Sequence, residues 1–487
     1  MILHVMVIST IKLPSGLIKE GWNPLYEDSA DFCEEINSEI QDKGQFLWID
    51  HYPKVTWNFA ASIYTITNNI ESGKVITVLL MCSIMCITYA YLSNRFLKFW
   101  QAAFIAIVLT FNPIVIAQIF TYYVDGIMGL LIYGIILFLI MLTDKNFILI
   151  SECEKWLLLA SEIILCMNIK FTGVYFAAIF SIIFYLFWLV KSYKEKNLKE
   201  DIIKLTTKFA IIVVIGLIVV GGSTYLKNTI DHINPLYPLI GEGKVDIVTT
   251  MQPQSFETKN RFVKLFESIF AKSENITYTS GDSPELKIPF SITEEEINTL
   301  GIPDTRIGGY GVLFSGILLV SIILIIYSLV KIFKDSKTIF QYIIAILIGI
   351  GITTLFMGEA WWARYSPQLY IISLIAIFNT FYISNKCKAK PVKVMGNIIA
   401  FILVILLLIN VMFFVYWRYK DLYNNRAVKM SMEDLKALST NQETEISFNE
   451  VYYWGILYNL RDYGIRYNLV DDKEFKSNYA YNYQILY

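Results

Sequence analysis

Long apolar runs alternate with short polar turns along most of the chain. A run of about twenty apolar residues matches the length of helix that crosses a bilayer. Backbone polar groups must be satisfied inside lipid, so each such run predicts a helix. The pattern predicts ten spans, of which the fourth is the weakest because Glu162 interrupts it. They are 75–92, 100–119, 122–143, 153–169, 171–190, 207–226, 312–330, 338–357, 366–384 and 395–416.

Positive residues are distributed unevenly between the turns. One set of turns holds seventeen Lys and Arg residues, whereas the alternate short turns hold only Lys170 and Arg364. Positive residues favour the cytoplasmic side of short loops, so we place the lysine-rich turns in the cytoplasm of a bacterial inner membrane. The other turns and the long polar segments then face the extracytoplasmic side.

The spans predict an all-α multi-pass transmembrane fold in five parts. The tail is expected to be a small extracytoplasmic α/β appendage, and the first part to carry amphipathic helices. The parts are the extracytoplasmic first loop (1–74), the first transmembrane bundle (75–226), the large extracytoplasmic loop (227–311), the second bundle (312–416) and the extracytoplasmic tail (417–487).

Composition supports this class and removes several others. The chain is 55% hydrophobic and 17% charged, well below the charged fraction of a soluble domain. A formal net charge of −1 argues against a nucleic-acid partner. Six scattered cysteines without a CxxC pair and only three histidines predict neither a disulfide framework nor a zinc site. No residue is assigned as a metal ligand, and a divalent metal is left open as a cofactor.

The first polar cluster at the outer face is WIDHYPKVTW. His51, Tyr52 and Lys54 lie together on a turn stiffened by Pro53. Equally supported is an interfacial anchor, with aromatic rings at headgroup level and a lysine extended towards water.

The second cluster is QIFTYYVDGIMG, in which Tyr122, Tyr123 and Asp125 begin an otherwise apolar helix. A carboxylate at the middle of a span costs about 3 kcal/mol, so it marks a functional site by default. The alternative is a helix N-cap at the membrane edge, worth about 1 kcal/mol. Lys170, in NIKFTG, is an isolated positive charge at another outer turn.

The third cluster is GEAWWARYSPQLY, which contains Glu359, Trp361, Trp362, Arg364 and Tyr365. The planar guanidinium of an arginine suits a phosphate. An aromatic belt, with an arginine that simply pairs with the neighbouring glutamate, is the alternative. Because the charges of all three clusters crowd one edge of the membrane and leave its midplane nearly empty, the arrangement favours an enzyme at the surface over a transporter.

At these clusters the chain resembles the GT-C fold glycosyltransferases, in particular the glycosyltransferase family 39 group with the protein O-mannosyltransferases and lipid A aminoarabinose transferases. The resemblance covers about residues 11–416, and its motifs occur in the family's order. They are GWNPLY (21–26), HYPK (51–54), TYYVDG (121–126) and WWARYSPQL (361–369).

The resemblance implies a polyprenyl-phosphate-linked sugar donor, inversion at the anomeric carbon, and a lipid, glycan or protein acceptor in contact with membrane lipids. Lys54 and Arg364 would stabilise the departing phosphate, and Asp125 would orient the acceptor or assist the base. Asp125 and Glu359 are the candidate catalytic residues. The candidate substrate-binding residues are His51, Tyr52, Lys54, Tyr122, Tyr123, Lys170, Trp361, Trp362, Arg364 and Tyr365.

The chain departs from the family at its leading catalytic acid. That acid lies about fifteen residues before the glycine matched by Gly21, where this sequence has Met6 and Val7. The topology also needs a helix before the first loop. We therefore expect either an upstream or altered start that carries the acid, or an inactive homologue that binds polyprenyl-phosphate lipid. A lipid-linked glycan flippase or transporter is the remaining alternative.

Overall fold

The computed structural model describes residues 50–194, 196–246, 248, 251–274, 276, 283–438, 444–446 and 459–469. The GWNPLY motif and the region expected to hold the leading acid lie outside these residues.

Most of the described residues lie in helices. They are α1 (Val55–Thr67), α2 (Val75–Arg95), α3 (Phe99–Thr110), α4 (Pro113–Gln118), α5 (Asp125–Thr143), α6 (Glu152–Ile169), α7 (Phe171–Lys194), α8 (Leu198–Val214, continued by a π turn at Ile215–Val220), α9 (Gly222–His232), α10 (Arg261–Phe270), α11 (Glu294–Thr299), α12 (Phe314–Asp335), α13 (Lys337–Phe356), α14 (Ile371–Lys386) and α15 (Lys390–Leu438). Short 3-10 turns occur at Ile70–Lys74, Gln254–Phe256, Ala363–Tyr365 and Pro367–Tyr370.

The predicted all-α multi-pass fold class is confirmed, and helices occupy all ten predicted spans. In the described part of the chain, eight helical segments are long and apolar enough to cross a membrane. The second predicted span is not one continuous helix but divides into α3 and α4. The division occurs because Asn112 caps α4 by accepting a hydrogen bond from the Val115 backbone N–H, and because Pro113 has no N–H to donate. The fourth, α6, has the length of a span but carries four charged residues.

Helix α5 is the centre of the bundle. Nearly all of its side chains are buried, and it packs against α2, α4, α6 and α7. The fully buried Glu162 of α6 fits against Gly134 of α5, where a Cβ would lie 2.8 Å from the carboxylate carbon. An almost completely enclosed helix that begins with an acidic residue places that residue inside the protein.

Helix α15 extends beyond the bundle and contacts several loops on one side of it. Its 49 residues span about 74 Å, far more than the roughly 30 Å of a hydrocarbon core. Beyond the bundle, Trp417 Nε1 donates to the Ile297 carbonyl at 2.6 Å, and Arg418 donates to the carbonyls of Ala117 and Gly301. The end of α4 and the loop after α11 therefore both contact the same turn of α15.

The described part of the tail contains both strand and helix. Strands β1 (Thr444–Ile446) and β2 (Tyr467–Leu469) pair in parallel, and a helical turn spans 459–462. Asp462 accepts hydrogen bonds from Tyr64 and from the Ile70 backbone N–H, at 2.9 and 2.8 Å. The tail thus docks on the segment that precedes α2.

The predicted orientation can be tested by thiol labelling. In a chain whose native cysteines are replaced by serine, Glu285→Cys in the large loop should react with a membrane-impermeant maleimide in intact cells, because this side chain is 64% exposed on the predicted outer face. Native Cys387, restored alone in a lysine-rich turn, should react only after permeabilisation. Labelling of Cys387 in intact cells would reverse the orientation.

Candidate active site

Three turns of the predicted outer face meet around one carboxylate. Asp125 starts α5, Lys170 lies between α6 and α7, and Arg364 lies in the turn between α13 and α14. Lys170 Nζ is 2.6 Å from Asp125 Oδ1, and Arg364 Nε is 4.0 Å from Asp125 Oδ2. Asp125 is only 2% exposed. Removing one partner from such a buried group leaves an uncompensated charge, which is strongly destabilising.

Asp125 does not cap its helix. The cap position belongs to Val124, and no side-chain capping bond is present. Gln118 instead joins the end of α4 to the start of α5, since its Nε2 lies 3.4 Å from Asp125 Oδ2 and its Oε1 accepts from the Gly126 N–H at 2.8 Å. The positive end of the α5 dipole also favours a carboxylate here.

Lys170 is the single residue between two long antiparallel helices. The turn is tight enough that a Cβ at Gly173 would lie 1.7 Å from the Cys166 carbonyl oxygen, so only glycine fits. The Lys170 ammonium lies 3.9 Å from the centre of the Tyr365 ring, a cation–π contact, and the residue is 8% exposed. The fold therefore presents this lysine to the site and not to water.

Arg364 lies in an aromatic cage. Its guanidinium carbon is 4.1 Å from the Trp362 ring centre, 5.1 Å from that of Tyr365 and 5.3 Å from that of Tyr123. Burial alone would lower the pKa of Arg364, but its interactions with Tyr365, Asp304 and Asp125 raise that pKa above its ordinary value. The guanidinium is a fixed, permanently charged group.

Asp304 is a member of the site that the sequence reasoning missed. Its Oδ1 lies 2.9 Å from Arg364 Nη1, and its Oδ2 lies 2.6 Å from Arg306 Nε. Among the described residues the ion pairs of Arg364 are thus with Asp304 and Asp125, and not with Glu359. The signal in the sequence was the PDTR segment, an acidic and a basic residue in the last turn of the large loop before α12.

Two tyrosines near the charges, Tyr52 and Tyr123, are neutral. Burial raises the pKa of Tyr52 well above its usual value, and burial also raises the pKa of Tyr123. Both hydroxyls therefore stay protonated at neutral pH and cannot act as bases. The Tyr52 ring is held by Trp57 and Phe171, with ring centres 6.0 and 5.4 Å away.

Other candidate residues occupy neighbouring positions. His51 Nδ1 lies 2.7 Å from Asn228 Oδ1 on α9, and the His51 ring meets that of Tyr237 edge-on at 5.0 Å. Lys54 precedes α1 and is 5% exposed, so it is enclosed and not extended towards water as an interfacial anchor would be. Tyr122 donates to the Ile70 carbonyl.

The start of the third cluster faces a different part of the protein. Trp361 is buried against Phe256, with ring centres 5.2 Å apart, and its indole N–H donates to the Glu359 carboxylate. Glu359 is half-buried. In the described part of the chain no group of three or more His, Cys, Asp or Glu residues is arranged to hold a metal.

An apolar cavity of about 150 Å³ lies deeper in the bundle. Its lining includes Tyr133, Ile136, Leu137 and Ile140, which follow Asp125 along α5. Further lining comes from Thr88, Tyr91, Leu92, Phe96, Ile105, Leu109, Ile339, Tyr342, Ile343, Ile346, Ile371, Leu374, Ile375 and Phe378. Gly129, one turn after Asp125, packs on Pro367 of the turn that carries Arg364.

No protein-family model matches the sequence, and no characterised protein matches it in a sequence comparison. Among solved structures, the fold is similar to the apo-state crystal structure of ArnT from Cupriavidus metallidurans (TM-score 0.46, 10% identity, 96% of this chain and 83% of that chain). It is also similar to the crystal structure of the same protein bound to undecaprenyl phosphate (TM-score 0.49, 10% identity, 97% of this chain and 85% of that chain). At 10% identity this likeness assigns no role to any residue.

Proposed function

We propose that the chain is a membrane glycosyltransferase that moves a sugar from a polyprenyl-phosphate donor to an envelope acceptor at the extracytoplasmic face, with inversion. The observation that carries the proposal is the buried cluster of Asp125, Lys170 and Arg364, drawn from three separate helix ends. Buried charges are costly, and a dry set of cations beside one carboxylate suits a reaction that releases a phosphate.

Lys170 and Arg364 are proposed to bind the phosphate that leaves with the lipid. The Nε of Arg364 is buried and makes no hydrogen bond among the described residues, so its N–H is available to a phosphate oxygen. A preorganised donor aimed at developing negative charge contributes about 3 kcal/mol to transition-state stabilisation. Lys54, as the resemblance implies, would add a third cation.

Asp125 is proposed to orient the acceptor and to hold the two cations, and not to remove a proton. A carboxylate 2.6 Å from an ammonium and near a guanidinium is stabilised as the anion, which makes it a weak base. Glu359 remains the other candidate for the base, because it is half-buried and no cation pairs with it in the described chain, although its carboxylate accepts from the Trp361 indole outside this cluster.

The apolar cavity is proposed to receive part of the isoprenoid tail. The residues that line it follow Asp125 along the same helix, so a lipid whose phosphate lies at Arg364 would have its chain directed towards the cavity. Burial of isoprenoid methylenes there would contribute about 0.8 kcal/mol each.

Filling the cavity should weaken long-chain binding. Ile346→Trp places an indole in the cavity and should lower the affinity for undecaprenyl phosphate by about tenfold, the loss of one to two buried methylenes, as measured by scintillation proximity in nanodiscs. Ile323→Trp, at a side chain of α12 that is 65% exposed on the surface of the bundle, is the matched control and should bind normally. Equal affinities for the two variants would place the tail elsewhere.

The proposed donor class is tested by headgroup selectivity. Purified protein in nanodiscs should bind undecaprenyl phosphate at least about a hundredfold more tightly than undecaprenol, because two charge-assisted contacts to phosphate contribute roughly 1.5–3 kcal/mol each. Equal binding of the phosphate and the alcohol would remove the basis of the proposal.

A further inference from the structure

The carboxylate of Asp304 is shared between two guanidinium groups. One oxygen lies 2.9 Å from Arg364 Nη1 and the other 2.6 Å from Arg306 Nε. The side chains of Asp304 and Arg364 are each 14% exposed, and that of Arg306 is 9% exposed. Both oxygens are thus committed to arginines in a largely enclosed place.

Trp362 lies against both arginines and fixes the same loop. Its ring centre is 4.1 Å from the Arg364 guanidinium carbon and 4.6 Å from that of Arg306. Its indole N–H donates to the Asp304 backbone carbonyl at 2.7 Å. An ion pair, the Trp362 ring packed on both guanidinium groups, and a hydrogen bond from its indole to the Asp304 carbonyl therefore join the segment of Asp304 to the turn of Arg364.

The loop around Asp304 is anchored further along its length. The Gly308 N–H donates to the Ser268 carbonyl at 2.8 Å, and Tyr310 Oη lies 2.7 Å from Ser366 Oγ. Arg306 Nη1 donates to the Met251 carbonyl at 2.6 Å. Asp304 is consequently held in place and can align the side chain of Arg364, with which it pairs.

Fixing one edge of a guanidinium fixes the direction of the others, because the group is planar and its donors form a rigid fork. Asp304 engages the Nη1 of Arg364, while the Nε lies 4.0 Å from Asp125 Oδ2 without a hydrogen bond among the described residues. The Nε edge is therefore turned towards the side of the site where Asp125 lies.

We propose that Asp304 is a positioning residue: it aligns Arg364 so that the Nε edge meets the phosphate of the lipid donor, with Arg306 and Trp362 holding Asp304 in register. This inference rests on the proposed function. It assigns to the loop before α12 a role in phosphate recognition through Arg364, without direct contact between Asp304 and the lipid.

The direction in which Asp304→Asn changes the phosphate affinity distinguishes positioning of Arg364 from a simple effect of charge. Removing an anion near a phosphate site should strengthen phosphate binding if only the local potential mattered. Positioning predicts the opposite, since an asparagine leaves Arg364 free to adopt other rotamers. A damaged lipid site would weaken the phosphate and the alcohol alike, whereas misalignment of Arg364 weakens the phosphate alone.

The experiment measures affinities for undecaprenyl phosphate and undecaprenol in nanodiscs, with the melting temperature of each variant recorded. Asp304→Asn should bind the phosphate about tenfold more weakly, the scale of one charged hydrogen bond, and the alcohol as the parent does. Asp304→Glu keeps the charge one methylene further out and should recover part of the loss, which keeps the test valid if the asparagine variant does not fold. Glu285→Gln, an exposed carboxylate of the same loop, is the matched control and should match the parent.

Equal or tighter phosphate binding by Asp304→Asn would overturn the inference, and so would a parallel loss of both lipids. A parent protein that does not distinguish phosphate from alcohol would overturn the proposed function instead, whatever the variants do.

Discussion

Arg364→Gln should lower sugar transfer from an undecaprenyl-phosphate donor by about 100- to 1,000-fold, the loss seen when a preorganised donor to a developing anion is removed. Arg364 is caged by Trp362, Tyr365 and Tyr123 and aligned by Asp304, so glutamine can restore neither the charge nor the fork of donors. The measurement is the initial rate in membranes, normalised to the amount of folded protein.

Two further variants show whether the geometry of Arg364 matters as well as its charge. Arg364→Lys keeps the charge but has no planar fork, and it should recover only a minor part of the rate. Arg261→Gln, an exposed arginine at the start of α10, is the matched control and should stay within about twofold of the parent. A lysine variant as active as the parent would limit the role of Arg364 to its charge.

Asp125→Asn should reduce both stability and transfer. The substitution leaves Lys170 buried without its partner 2.6 Å away, which costs about 3–5 kcal/mol in the free energy of unfolding. Lys170→Met should cost a similar amount. In the double variant neither charge is left behind, so the two losses should be less than additive by about 2 kcal/mol in a double-mutant cycle. All three variants should transfer sugar at least about 100-fold more slowly than the parent.

The other end of α5 supplies the control for this prediction. Asp144 pairs with Arg95 at 2.7 Å and also accepts from the Tyr91 hydroxyl at 3.1 Å. Asp144→Asn should likewise lower the melting temperature, but transfer per folded molecule should remain at the parental rate. If Asp125→Asn behaved like Asp144→Asn, Asp125 would be a structural residue only.

The helices and the polar residues at their ends could be predicted because lipid imposes strong constraints. Asp125 stood out because charged side chains inside apolar runs are rare, and Lys170 and Arg364 stood out as the isolated positive residues of the outer turns. The structure brings both cations to Asp125, at 2.6 and 4.0 Å. The break between α3 and α4 was missed, since averaging hydropathy over twenty residues conceals one asparagine cap and one proline.

The partner of Arg364 could not be predicted from sequence proximity. Glu359 lies five residues away in the chain, but the turn between them directs its carboxylate to the Trp361 indole. Asp304, sixty residues away, reaches the guanidinium because the end of the large loop folds back over the turn. Loop geometry of this kind depends on packing against Trp362 and on backbone hydrogen bonds, which leave no periodic pattern in the sequence.

The central claim is tested most directly by a transfer assay. Membranes that carry the chain are incubated with a radiolabelled undecaprenyl-phosphate sugar, and label in the lipid, glycan and protein fractions is compared with that in membranes that carry Arg364→Gln at equal protein level. The account predicts label in one of these fractions from the parent chain and almost none from the variant. Equal label from the two, or none from the parent, would contradict it.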